Sequence, residues 1–227
     1  MKIASIILAR GGSKGIPKKN LIDFCGEPLL YWTIKQCLDG GIYSSDVYVS
    51  SDSQDILDFA KSKNVDTIIR TEEVSQDTSS SEDSWIYSIK ELYKRGLNYD
   101  WIIAPQVTSP LRNFTDISNA IKFLKGTDYD CFFSAVPSDD ICVWNNSKGY
   151  LDSANYNWRD RKRRQDNDKH YIENGSFYIF KPENLLQYKN RFHGNIGIIE
   201  MDSWKLFEID SLVDLKICSL IMENFIL

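Results

Sequence analysis

The stretch IASIILARGGSKGIPKKN, residues 3–20, decides the reading of this chain: an apolar β-rich run leads straight into three glycines and four cationic side chains. A strand over Lys2–Leu8 delivers the chain to a loop in which Gly11, Gly12 and Gly15 let the backbone approach an anion closely and present its N–H groups. Arg10, Lys14, Lys18 and Lys19 place positive charge at the same point. This is an anion-binding loop. It is not a P-loop, because no Gly-Lys-Ser/Thr follows at the required spacing, and it lacks the G-x-G-x-x-G order of a dinucleotide site.

Outward from that loop, short β-rich runs alternate with longer segments of helical period. Strands are expected at Asp46–Ser50, Thr67–Ile69, Trp101–Pro105 and Cys131–Val136, and helices near Leu29–Leu38, Ser53–Lys63, Ser81–Arg95 and Thr115–Leu124. That rhythm implies an α/β protein with a mostly parallel sheet covered by crossover helices. Ser53 and Thr115 are expected N-caps, and Glu82 and Asp83 suit a first helical turn. Ligands of such sheets sit beyond the carboxyl ends of the strands, so the loops at 9–20, 50–53, 70–80 and 105–112 should meet. The region from about 137 to 174 breaks the rhythm and reads as an excursion from the sheet. A strand resumes at Gly175–Phe180, Pro182 opens a short helix, a further strand fits Ile196–Met201, and an amphipathic helix runs from about Ser211.

The 227 residues fit one domain, and 42% hydrophobic content supplies a sizeable core. With 27 basic and 32 acidic side chains the formal charge is −5, which excludes the global basic field that draws a protein onto nucleic acid or anionic membrane. Any anionic ligand therefore meets a local basic site. Five cysteines without C-x-x-C spacing read as reduced thiols, and neither terminal apolar run is long enough to span a bilayer, so a soluble cytoplasmic protein is expected.

Leu8, Ala9, Arg10, Ser13, Lys14, Gly15, Lys19 and Asn20 resemble the opening motif of the acylneuraminate cytidylyltransferases, which activate nonulosonic acids. The resemblance continues in the same order through VSSDS (49–53), IIRTEEVSQDTSSS (68–81), QVTSPLR (106–112), RRQD (163–166), ENGSFYIF (173–180) and FEIDSLVDL (207–215). It implies a single Rossmann-like nucleotidyltransferase domain over residues 1–227, with the excursion projecting as a dimerisation element. It also implies a Mg²⁺-dependent reaction in which CTP and an α-keto sugar acid give a CMP-sugar and pyrophosphate.

By that resemblance Arg10, Ser13 and Lys19 serve the triphosphate, Asn20 the nucleotide, and Ala9 and Gly11 complete the loop's contacts, with Arg10 and Lys19 stabilising the charge that develops at phosphorus. Arg70 and Asp77 match positions near the cytosine. Gln106, Ser109, Arg112, Arg164, Gln165, Asn174 and Tyr178 match the sugar site, to which the excursion of a dimer partner contributes. For Arg112 a purely structural role stands equally open. Glu208 and Asp210, read as alternating along one strand, share a face and suit Mg²⁺. Asp214 reads as a helix-start charge. Ile172 stands where some bacterial relatives have an arginine, so a carboxylate contact found there has no counterpart, and the identity of the sugar is left open. The rival readings are a nucleotidyltransferase for Kdo or another NTP, and a nucleotide-sugar-binding protein without turnover.

Overall fold

The computed structural model describes residues 1–13, 15–75, 79–138, 141–147, 149–163, 166 and 169–227. Its chain order is β1 (Ile3–Leu8), β2 (Asp23–Phe24), β3 (Glu27–Pro28), α1 (Leu29–Asp39), β4 (Val47–Ser51), α2 (Gln54–Ser62), β5 (Asp66–Ile69), α3 (Ser81–Lys94), β6 (Trp101–Pro105) and α4 (Phe114–Phe123). There follow β7 (Cys131–Pro137), β8 (Trp144–Ser147), β9 (Tyr150–Ser153), β10 (Tyr171–Phe180), α5 (Pro182–Tyr188), β11 (Ile196–Glu200) and α6 (Leu212–Phe225).

Seven strands form one sheet in the order β11-β7-β10-β6-β1-β4-β5. β10 runs antiparallel to both neighbours, and the other pairings are parallel. Apolar residues occupy consecutive strand positions because both faces are covered. Ile7, Val49 and Ile103 join the core beneath α1, α2, α4 and α6, while their neighbours Ile6, Tyr48 and Ile102 join Trp85, Ile89 and Leu185 from α3 and α5. The chain runs from β1 outward to β5, then crosses to β6 on the other side of β1, so the strand order reverses at β1.

Several local expectations are corrected. Asp46 belongs to a short 3₁₀ turn before β4. Ser53 holds the N-cap position of α2 without a capping bond, whereas Asn113 holds that of α4 and donates its N–H to Asp116, so Thr115 lies inside the helix. β10 starts at Tyr171, earlier than Gly175, because its first residues pair with Val136 and Pro137 across a bulge between Glu173 and Tyr178. Gly175 sits in that interval at φ +63, a conformation L side chains rarely adopt. The excursion thus leaves the sheet after Pro137 and returns at Tyr171. It contains the β8–β9 hairpin, turned at Gly149 (φ +79), and exposes Trp144, Tyr150 and Leu151.

Arg112 has 0% exposure. Its guanidinium donates to the carbonyls of Gln106, Ser109 and Ser176 and to the Thr33 hydroxyl at 2.7–2.9 Å. Burial pulls the group down to about 10, still cationic at neutral pH. The side chain is thus an internal brace between the loop after β6, β10 and α1, the structural role that the sequence left open. Arg112→Lys keeps the charge but loses the planar fork, and should cost about 2–4 kcal/mol in urea unfolding by leaving buried carbonyls unpaired.

Candidate active site

The four loops expected to meet do so at the carboxyl ends of β1, β4, β5 and β6. Ala9 N–H donates to the Ser50 carbonyl and Arg70 N–H to the Ser51 carbonyl, while Leu8 forms a parallel bridge with Gln106. Between these loops and the start of α3 lies a cleft of about 350 Å³. Arg10, Ser13, Lys19, Asn20, Arg70 and Gln106 line it, six of the residues singled out from sequence.

The loop after β1 is held from several sides. Asn20 donates its side-chain amide to the Arg10 carbonyl at 2.8 Å, and Gly11 N–H donates to Asp52 Oδ1 at 2.9 Å. Lys19 Nζ donates to the Ile209 carbonyl (2.9 Å) and to Asp210 Oδ1 (2.8 Å). A Cβ at Gly15 would come within 2.5 Å of the Asp210 carbonyl oxygen, so only glycine lets the two segments pass this closely.

Arg70 is 6% exposed. Its Nη1 donates to Ser84 Oγ at 2.8 Å, while Nε and Nη2 are buried without a hydrogen-bond partner, Nη2 lying 4.0 Å from Asp52 Oδ1. Burial drives this guanidinium below its ordinary value, Asp52 opposes that, and the positive charge of Arg10 adds to it. Ser75 Oγ and Trp85 Nε1 are also buried without partners, and both residues line the cleft. Among the described residues, seven buried polar side-chain atoms lack partners, and four of them belong to the cleft residues Arg70, Ser75 and Trp85. Such atoms are costly when left unpaired, and their concentration here marks a place prepared for a hydrogen-bonding, anionic ligand.

Glu208 and Asp210 approach the rim from the far end of the chain. They do not lie on a strand, which corrects that expectation. Their segment is extended and fixed by Ile209 N–H donating to the Thr108 carbonyl at 2.7 Å, with Ile209 buried and Asp210 exposed on alternate sides. Burial, then the negative charge of Asp210, push the Glu208 carboxyl upward. Asp214 accepts from Ser211 N–H and Oγ–H and closes the capping box of α6, as expected of a helix-start charge.

Other expected residues lie away from the cleft surface. Ala9 is buried, and the Gly11 N–H is used by Asp52. Ser109 is buried, donating to the Gly175 carbonyl. Asn174, 1% exposed, donates to the Lys205 carbonyl and accepts from Ser134. Tyr178 is 4% exposed, donates its hydroxyl to Glu173 and packs edge-on against Trp85. Asn174 and Tyr178 thus have their polar groups engaged within the protein. Asp77, Arg164 and Gln165 fall outside the described residues. Sequence reading passed over Asp52, Ser84 and Trp85. Asp52 carried a usable signal, a carboxylate in VSSDS at a strand end, whereas Ser84 and Trp85 sit within an ordinary helical pattern.

A doubly covered, mostly parallel sheet with a basic, glycine-built cleft at its switch point defines a nucleotide-type α/β protein. Residues 4–222 match the family described as cytidylyltransferase, and the chain belongs to that family. It is 37% identical over 188 residues to N-acylneuraminate cytidylyltransferase A of Danio rerio, covering 82% of this chain and 43% of that protein. It is 29% identical over 230 residues to the pseudaminic acid cytidylyltransferase of Campylobacter jejuni, covering 98% and 97%. The chain thus spans less than half of the fish relative and nearly all of the bacterial one. The fold is similar to that of CMP:2-keto-3-deoxy-manno-octonic acid synthetase complexed with CTP, with a TM-score of 0.73, 16% identity and 99% of each chain covered. The motifs' resemblance to the acylneuraminate cytidylyltransferases is borne out.

Because the folded-state Glu208 carboxyl is raised, its ionisation opposes folding. The stabilising protonated form is fully present below the ordinary value near 4.5 and is lost as pH rises through the folded-state value. Glu208→Gln should therefore raise the melting temperature of the ligand-free protein at pH 7, and the gain should shrink toward pH 4 in a pH series of thermal scans.

Proposed function

We propose that this chain transfers a cytidylyl group from CTP to a nonulosonic acid of the sialic or pseudaminic kind and releases pyrophosphate. The observation that carries this reading is the cleft itself: Arg10, Lys19 and Arg70 converge on it, and two buried donors of Arg70 make no hydrogen bond among the described residues. A sugar hydroxyl oxygen attacks the α-phosphorus, the bond from that phosphorus to the pyrophosphate oxygen breaks, and the hydroxyl proton leaves to solvent or a carboxylate. Negative charge grows on the phosphoryl oxygens and the leaving group, where the cations of the loop after β1 stabilise it. Gln106, at the end of β6, offers its amide on the sugar side.

Glu208 and Asp210 are the residues that would hold Mg²⁺. Two neighbouring carboxylates, one of them half-buried and raised by the other's charge, fit a divalent oxygen-seeking cation, and they leave coordination positions for phosphate oxygens and water. When bound, the ion supplies charge neutralisation at the phosphates. Lys19, already on Asp210, ties the loop to this pair.

The exposed aromatic hairpin supports a homodimer in which each excursion completes the neighbour's sugar site, since Tyr150 and Leu151 are largely exposed apolar surface and Trp144, packed on Tyr156 and Trp158, is still about half exposed. The five unpaired thiols accord with a reducing, cytoplasmic setting.

Pyrophosphate release should appear with CTP and a sialic, legionaminic or pseudaminic acid. It should fall at least about 100-fold in Arg10→Ala and in Asp210→Asn, and cease when divalent ions are chelated. Preference for Kdo or for another NTP, or binding without release, would point to the rival readings. For assembly, mixing inactive Arg10→Ala with inactive Arg164→Ala should restore about a quarter of wild-type activity, because half of randomly formed dimers carry one intact shared site. No recovery on mixing would refute a shared site.

A further inference from the structure

We infer that Asp52 is a positioning residue that clasps the glycine loop to the Arg70 side of the cleft. The inference rests on the nucleotide-binding reading above for its consequences, but not for its geometry. Asp52 follows β4, and its Oδ1 accepts the Gly11 N–H at 2.9 Å. The same oxygen lies 4.0 Å from Arg70 Nη2. One carboxylate atom therefore faces both the loop after β1 and the guanidinium at the end of β5. The Asp52 side chain is 28% exposed and that of Arg70 is 4% exposed, so the attraction is only partly screened by water. Asp52 is also the negative charge that opposes the effect of burial on Arg70.

A second observation supports the clasp from the backbone side. A Cβ at Gly11 would lie 2.8 Å from the Ser53 Cβ, so the loop rests against the 52–53 turn at a distance that only glycine permits. With Gly11 N–H held by Asp52, the loop enters the ligand-free cleft already fixed at its first glycine. The phosphates are left to Arg10, Lys19 and the remaining loop amides. Ser84 completes the frame by accepting from Arg70 Nη1 and donating to the Val74 carbonyl, which ties the guanidinium to the segment after β5. Asp52 thus orients two groups of the nucleotide cleft, the Gly11 amide and the Arg70 guanidinium. As a carboxylate in a cationic cleft, it also holds down affinity for an anion.

The two roles separate in two variants. Asp52→Asn keeps an oxygen acceptor for Gly11 N–H and removes the charge, whereas Asp52→Ala removes both. In hydrogen exchange of the ligand-free protein, the Gly11 amide should exchange about tenfold or more faster in the Ala variant and stay within about twofold of wild type in the Asn variant. In calorimetric titration with CTP, the Ala variant should bind about tenfold or more weakly, and the Asn variant as tightly as wild type or tighter. Unchanged Gly11 exchange in the Ala variant overturns the clasp, and so does equal loss of protection in both variants when circular dichroism reports an intact fold. A wild-type protein that binds no CTP, while the exchange pattern holds, overturns the functional reading and leaves the clasp standing.

Discussion

The buried guanidinium of Arg112 is the interaction on which the cleft depends. Its N–H groups gather the carbonyls of Gln106, Ser109 and Ser176 and the hydroxyl of Thr33 around one charge. Gln36 of α1 completes the arrangement by donating to the carbonyls of Pro110 and Arg112. The carbonyls of Gln106 and Ser176 also accept from Ser109 N–H and Gln106 N–H, and the buried cation adds its donors to theirs, so an irregular segment becomes a rigid floor. On that floor Gln106 bridges to Leu8, and Thr108 accepts the Ile209 N–H that brings Glu208 and Asp210 to the rim.

Electrostatics are arranged locally and not across the whole surface. The chain carries a formal charge of −5, yet Arg10, Lys19 and Arg70 share one cleft. The positive charge of Arg10 disfavours that of Arg70, a repulsion that a polyanion relieves. Carboxylates are distributed in the opposite sense. Asp52 faces Arg70, Asp210 pairs with Lys19, and Glu208 and Asp210 oppose each other. The cleft is thus held in shape by internal ion pairs while retaining donors that make no hydrogen bond among the described residues.

The parallel architecture and the principal loop were legible in sequence because they rest on local rules. The apolar periods of β1, β4, β6 and β7 mark their strands, and the glycines and lysines of residues 10–19 mark the anion loop next to the first of them. The burial of Asn174 and Tyr178 was not legible, and for Arg112 the sequence left a structural and a ligand-binding role equally open, because burial is a property of packing: all three lie in motifs beside the site, and all three are buried. The excursion was visible as a break in rhythm. Its return at Tyr171 was not, since that register is set by pairing with Val136 and Pro137 across a bulge.

By itself, then, the sequence determined an α/β order, an anion loop after the first strand and late carboxylates suited to a cation, since periodicity, glycine content and charge act over a few neighbours. Tertiary structure alone decided which polar residues meet the cleft and which brace it. It placed Asp52 between Gly11 and Arg70, made Arg112 an internal strut, and joined Lys19 to Asp210 across most of the chain's length. The physical reason is that desolvation and hydrogen-bond satisfaction depend on what surrounds a side chain in space, and only the assembled sheet brings those surroundings together.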